Sequence, residues 1–147
     1  MTPALIIGSS VLAVLLLLVV LRQFAQSLRA RGRAEIDKRY PAAEVLLSET
    51  LAQSFGQQSK GVVQARGNGA LALTNSELFF GMYVPDRELK IPLASIKAVS
   101  LVRSHLGKTQ GTDLLHVRYE TEGAEDAIAW RVPKPAAWKA KLDELRG

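Results

Sequence analysis

The chain has 147 residues, 48% of them hydrophobic, with a formal charge of +5 and no cysteine. Without thiols, structural disulfides, thiol nucleophiles and zinc–thiolate centres are excluded. The positive charge is local: residues 22–39 carry six Lys/Arg against two Asp/Glu, while residues 40–147 carry thirteen against twelve, which argues against a nucleic-acid-binding domain with a basic face of its own.

The first element is a run of eighteen uncharged residues, Ala4 to Leu21. As a helix it covers roughly 27 Å, close to the ~30 Å hydrocarbon core of a bilayer, and a helix hides its own backbone polar groups there. The alternative of a cleaved signal peptide requires a basic start, a shorter apolar core and a small-x-small cleavage site. Met1-Thr2-Pro3 adds no charged side chain, and Arg22-Gln23-Phe24 is no such site. A buried core helix is the third reading, but eighteen consecutive uncharged, mostly aliphatic residues are rare in so small a domain. Residues 1–21 are expected to be a retained single-pass anchor. The basic flank, with Arg22, Arg29, Arg31, Arg33, Lys38 and Arg39, places the C-terminal part in the cytoplasm of the cell membrane and the N-terminus outside. The same cations are suited to anionic headgroups, especially Arg29, Arg31 and Arg33.

Residues 22–40 read as a basic juxtamembrane linker. It continues the helix at least to Arg31, is weakened at Gly32 and breaks at Tyr40, before Pro41. Residues 41–58 predict a short amphipathic helix, because Ala43, Leu47, Leu51 and Phe55 recur every four residues. Residues 59–147 then predict a compact domain. Strands are expected at 61–66, 70–74, 77–83, 87–93, 95–103, 114–121 and 126–132, from alternating apolar residues such as Leu78, Phe80 and Met82 or Leu115, Val117 and Tyr119. Gly67-Asn68-Gly69 reads as a tight turn between the first two, and Ile96 and Ala98 are expected to face inward. After Pro133-Lys134-Pro135, Trp138, Leu142 and Leu145 make one apolar helical stripe. The expected fold is mainly β, a bent seven-stranded antiparallel sandwich or barrel closed by a C-terminal α-helix whose Trp138 plugs the open end.

Two stretches carry a resemblance. Gly69-Ala70-Leu71-Ala72-Leu73-Thr74, followed by Leu78 and Phe80, resembles the G-x-L-x-L-T-x-x-x-L-x-F signature of GRAM and bacterial pleckstrin-homology-like (PH-like) domains. Ile91-Pro92-Leu93-Ala94-Ser95-Ile96 resembles the I-P-L-x-x-I segment of the same families, and the Trp138 helix is similar to their C-terminal helix. The resemblance spans Ser59 to Arg146. It implies a PH-like module that binds lipids or peptides or serves as an assembly scaffold, without catalysis or a cofactor. Phosphoinositide-binding members place several cations around their first two strands. Here Lys60 and Arg66 flank an uncharged Gly67-Asn68-Gly69, and charges that deter edge pairing are the competing explanation.

Other chemistry is thin. His105 sits in a loop and His116 on an outward strand face, with Asp113 between them in sequence, and a metal or acid–base site needs a further partner. Ser104-His105 with Asp113 lacks a nucleophile elbow. Gly67-x-Gly69 is too short for a dinucleotide loop, and Lys108-Thr109 lacks the preceding glycines of a phosphate loop. Arg103, His105 and Lys108 make the remaining basic spot. The sequence therefore suggests a membrane-anchored binding or scaffold module whose partner is a protein or a lipid surface. The alternative is an accessory subunit of a membrane complex, contacting it through the Pro41–Phe55 helix.

Overall fold

A computed structural model describes residues 2–61, 66–109 and 111–147. Helix α1 runs unbroken over Pro3–Arg39, 37 residues, with Pro3 in its first turn and Lys38 and Arg39 in its last. The expected linker is thus the continuation of the apolar helix. It ends at Tyr40, whose extended backbone (φ −133°, ψ 133°) is the geometry a residue before proline prefers. Gly32 does not interrupt it. It is buried, and a methyl group there would run into the Tyr83 hydroxyl, so this glycine permits a close helix–sheet contact.

The amphipathic helix expected over residues 41–58 does not form. A single helical turn at Ala42–Glu44 is followed by strand β1, Leu47–Gln57. A repeat of four is also a multiple of two, so residues on one helical stripe lie on one strand face as well. The register of β1 shifts between Glu49 and Ala52 and again between Ser54 and Gln57. These irregularities hide the strand period, and pairing on both edges overrides local helix preference. The β module therefore starts at Leu47 rather than Ser59. The strand expected over residues 61–66 falls on 62–65, outside the described residues.

The remaining strands are β2 Gly67–Leu73, β3 Glu77–Met82, β4 Arg87–Pro92, β5 Ile96–Val102, β6 Leu114–Thr121 and β7 Ala124–Arg131. They form one seven-stranded sheet in the order β4-β3-β2-β1-β7-β6-β5, antiparallel throughout. Gly67-Asn68-Gly69 is not a turn but the start of β2. A Cβ at Gly67 would lie 2.5 Å from the Met82 sulfur, so the glycines serve close packing rather than positive φ. On β5 a register shift between Ile96 and Ala98 turns Val99 inward, where Ala98 was expected; Ile96 and Val99 are buried and Ala98 is only half-buried.

Strands β4 and β5 end the sheet order, yet only Leu93–Ser95 joins them. Three residues reach roughly 10–11 Å, so the sheet curls until its two edges meet at that corner. The inner face packs Leu71, Leu73, Leu78, Phe80, Ile91, Leu115, Val117, Ile128 and Trp130 into one core. Helix α2, Pro135–Arg146, lies against β5 and β6 and contributes Trp138 and Leu142, both buried, with Leu145 at the margin. Its Arg146 donates to the Ile96 and Lys97 carbonyls at 3.3 and 3.0 Å, pinning the helix to the edge strand.

A second apolar cluster lies on the outer face. Ile36 and Tyr40 of the α1 terminus cover Ala70, Ala72, Phe79 and Tyr83, with Leu28, Val45 and Leu51 at the margin. Tyr40 donates to Glu77 at 2.5 Å and Tyr83 to the Thr50 carbonyl at 2.6 Å. Burial first, and then Glu77, raise the Tyr40 pKa, while burial pushes the Tyr83 phenol up to about 12. Arg39 stacks 4.8 Å from the Phe79 ring and pairs with Glu35 and Glu88.

Candidate binding cleft

The curl leaves a cleft of about 640 Å³ lined by β1, β3, β4 and β7. Phe80, Met82, Leu89 and Ile128 give it an apolar lining, and Gln57, Lys60, Arg87 and Glu88 add polar and charged groups. The lining is thus as much polar as apolar. Behind this lining, the buried Asp126 accepts from the Ser59 amide (2.9 Å), the Ser59 hydroxyl (2.7 Å), the Tyr119 hydroxyl (3.1 Å) and the Ala127 amide (2.8 Å). Burial alone would raise the Asp126 pKa, but these bonds outweigh it and hold the carboxyl below its ordinary value. Burial pushes the Tyr119 phenol up to about 12. The network fixes the end of β1 and the turn Gln58–Lys60, and so places Lys60 beside the cleft.

The basic residues expected to meet a lipid or partner do not form one patch. Lys60 lines the cleft. Arg66 lies 4.7 Å over the Phe55 ring and donates to Thr109 at 3.4 Å. Lys108 donates to the Phe55 carbonyl at 3.4 Å, so Arg66 and Lys108 meet at one residue. Arg103 pairs with Asp113 at 3.5 Å and donates to the Gly111 carbonyl at 2.6 Å. Arg29 reaches Glu49 at 3.9 Å, Arg31 stacks 5.2 Å from the Tyr83 ring, and Arg33 is exposed on α1. Sequence reading missed Gln57 and Arg87. Arg87 stands on the same strand face as Leu89 and Ile91, at the end of the strand where a cation reads as solvated, and the sequence does not show that this end borders a cavity.

His105 and His116 meet edge-to-face at 5.2 Å. His105 is buried, and its Nε2–H donates to the Gly56 carbonyl at 2.9 Å, which straps the loop after β5 onto β1. Asp113 is engaged by Arg103, and no group of three or more His, Cys, Asp or Glu residues placed to hold a metal occurs among the described residues. Burial is the leading cause that lowers both histidine pKa values. The unfolded chain therefore takes up these protons first as the pH falls through 6.5, and stability falls with it. The melting temperature of the detergent-solubilised protein should drop between about pH 7.5 and about pH 5.5, and His116→Asn should flatten that dependence. The Asp126 contribution is lost only in stronger acid, below its ordinary value of 3.8.

No protein-family model matches the chain, and no curated protein matches it. Among solved structures it is similar to the C-terminal domain of an unknown protein from Leishmania infantum, with a TM-score of 0.48 and 16% identity over 71% of this chain and 86% of that one.

Proposed function

We propose that the chain is a single-pass membrane protein holding a PH-like β module on the cytoplasmic side, where it acts as a binding or scaffold module rather than an enzyme. The observation that carries this reading is α1. Its apolar part is exposed, with a mean hydropathy of 2.2 in the window that qualifies as a span, and its last turns are docked on the β module through Ile36 and Tyr40. An exposed aliphatic surface of that length is stable in lipid and costly in water. The Arg-rich segment after Leu21 supports the inward orientation.

The GRAM-like signature supports the PH-like assignment, since Leu71, Leu73, Leu78 and Phe80 all point into the core. The accessory-subunit alternative relied on a contact helix over residues 41–55, and with that segment in the middle of the sheet the cleft becomes the better binding surface. A photocrosslinking residue at Met82 in native membranes should capture a partner that Arg87→Glu abolishes. Capture unaffected by Arg87→Glu, or no capture at all, would count against the cleft as the recognition surface.

A further inference from the structure

Helix α1 fixes which end of the β module faces the apolar run. Along the helix toward its C-terminus, Arg31 stacks on Tyr83, Gly32 meets the same side chain, Arg39 covers Phe79 and Tyr40 bonds Glu77. Strand β3 therefore runs antiparallel to α1. Its C-terminal end, and the turn over residues 83–86, point back toward Leu21. The turn carries Val84, which is 78% exposed; outside α1 it and Leu46 are the exposed large hydrophobics among the described residues. A lone exposed valine means little, and its position relative to the helix axis is what gives it weight.

From Leu21 to Gly32 the helix advances eleven residues, roughly 16 Å. Tyr83 reaches Gly32, and the chain continues back toward the run at roughly 3 Å per residue. The headgroup layer is about 5–8 Å deep beside the hydrocarbon core. Because the apolar run of roughly 27 Å is shorter than the ~30 Å core, the basic end is drawn inward by a few Å. These lengths leave Val84 roughly 13 Å beyond Leu21, a few Å outside the headgroup layer. Arg31 and Arg87 flank the turn; Asp86 is its one acid, and the adjoining Glu88 is already held by Arg39. Cations within a Debye length of an anionic leaflet, about 8–10 Å, are attracted to it.

We infer that the turn over residues 83–86 is the seat of the β module on the bilayer that α1 crosses, with Val84 facing the headgroup layer between Arg31 and Arg87. The inference rests on the anchored reading above. The seat holds the cleft, which Pro85 and Arg87 also line, beside the membrane surface rather than out in solvent.

The chain has no cysteine, so single labels are unambiguous. Full-length protein bearing a fluorophore at Val84→Cys, at Ala42→Cys by the far end of β3, or at Leu16→Cys within the run would be reconstituted into phosphatidylcholine–phosphatidylglycerol vesicles. Lipids carrying a nitroxide on the headgroup should quench the label at residue 84 several-fold more than the label at residue 42. Acyl-chain nitroxides should quench the label at residue 16. Gly32→Pro, which breaks the helix at its contact with the sheet, should remove the quenching at residue 84 and leave that at residue 16. Equal, weak quenching at residues 84 and 42 with residue 16 still quenched would overturn the seat alone. No quenching at residue 16 would overturn the anchored reading, and the seat with it.

Discussion

Replacing Trp138 with alanine is expected to remove a large share of the β module's stability. The side chain is 5% exposed and packs, with Leu142, into the core that β5, β6 and the Leu93–Ser95 corner enclose. That corner is where the two sheet edges meet, so no neighbouring strand can move in to fill the space. Truncating a buried tryptophan costs about 3–5 kcal/mol, against a total of about 5–15 kcal/mol for a typical domain. Leu142 and Arg146 would be left holding a helix whose largest contact is gone. In detergent-solubilised full-length protein the melting temperature should fall by roughly 12 °C or more, with loss of near-ultraviolet circular dichroism. A shift of only a few degrees would mean that α2 does not close the curled sheet.

Gly69→Ala should be strongly damaging for a single added methyl group. Its Cβ would meet the Gly81 carbonyl oxygen and lie 2.7 and 2.8 Å from the Phe80 ring. The carbonyl is backbone on the paired strand β3, and Phe80 is wedged against Trp130 with ring centroids 5.6 Å apart. Neither can give way without opening the β2–β3 pairing. Overpacking of this kind costs about 1–3 kcal/mol, even though alanine is otherwise less costly than glycine in a strand interior. Gly8→Ala, where nothing lies within 4 Å, should leave the melt unchanged. Equal melting of the two variants would contradict the close approach of β2 and β3.

Much of this architecture was legible in the sequence. The uncharged run Ala4–Leu21 announces a helix because composition alone decides that case. Strand β6 is legible at its observed limits, because Leu115, Val117 and Tyr119 alternate with His116, Arg118 and Glu120, which are half-buried or exposed. Trp138 and Leu142 were placed correctly by helical spacing. Strand β1 was not legible, since its two register shifts break the alternation and its stabilising partners, β2 and β7, lie far apart in sequence. At Gly67 and Gly69 the sequence shows conformational freedom but not the demand for space that the structure reveals. The cleft was the least legible feature. Gln57, Lys60, Phe80, Arg87 and Ile128 come together only after the sheet has curled, and no local pattern records that curl. The basic residues were read as a surface set, whereas Arg66, Arg103 and Lys108 hold loops in place.

The central question is whether α1 is embedded in lipid. The direct measurement is an alkaline carbonate wash of membranes from cells expressing the full-length chain with a C-terminal tag. The tagged, unprocessed protein should remain in the membrane pellet and leave it only with detergent. Full-length protein released into the carbonate supernatant would contradict the account.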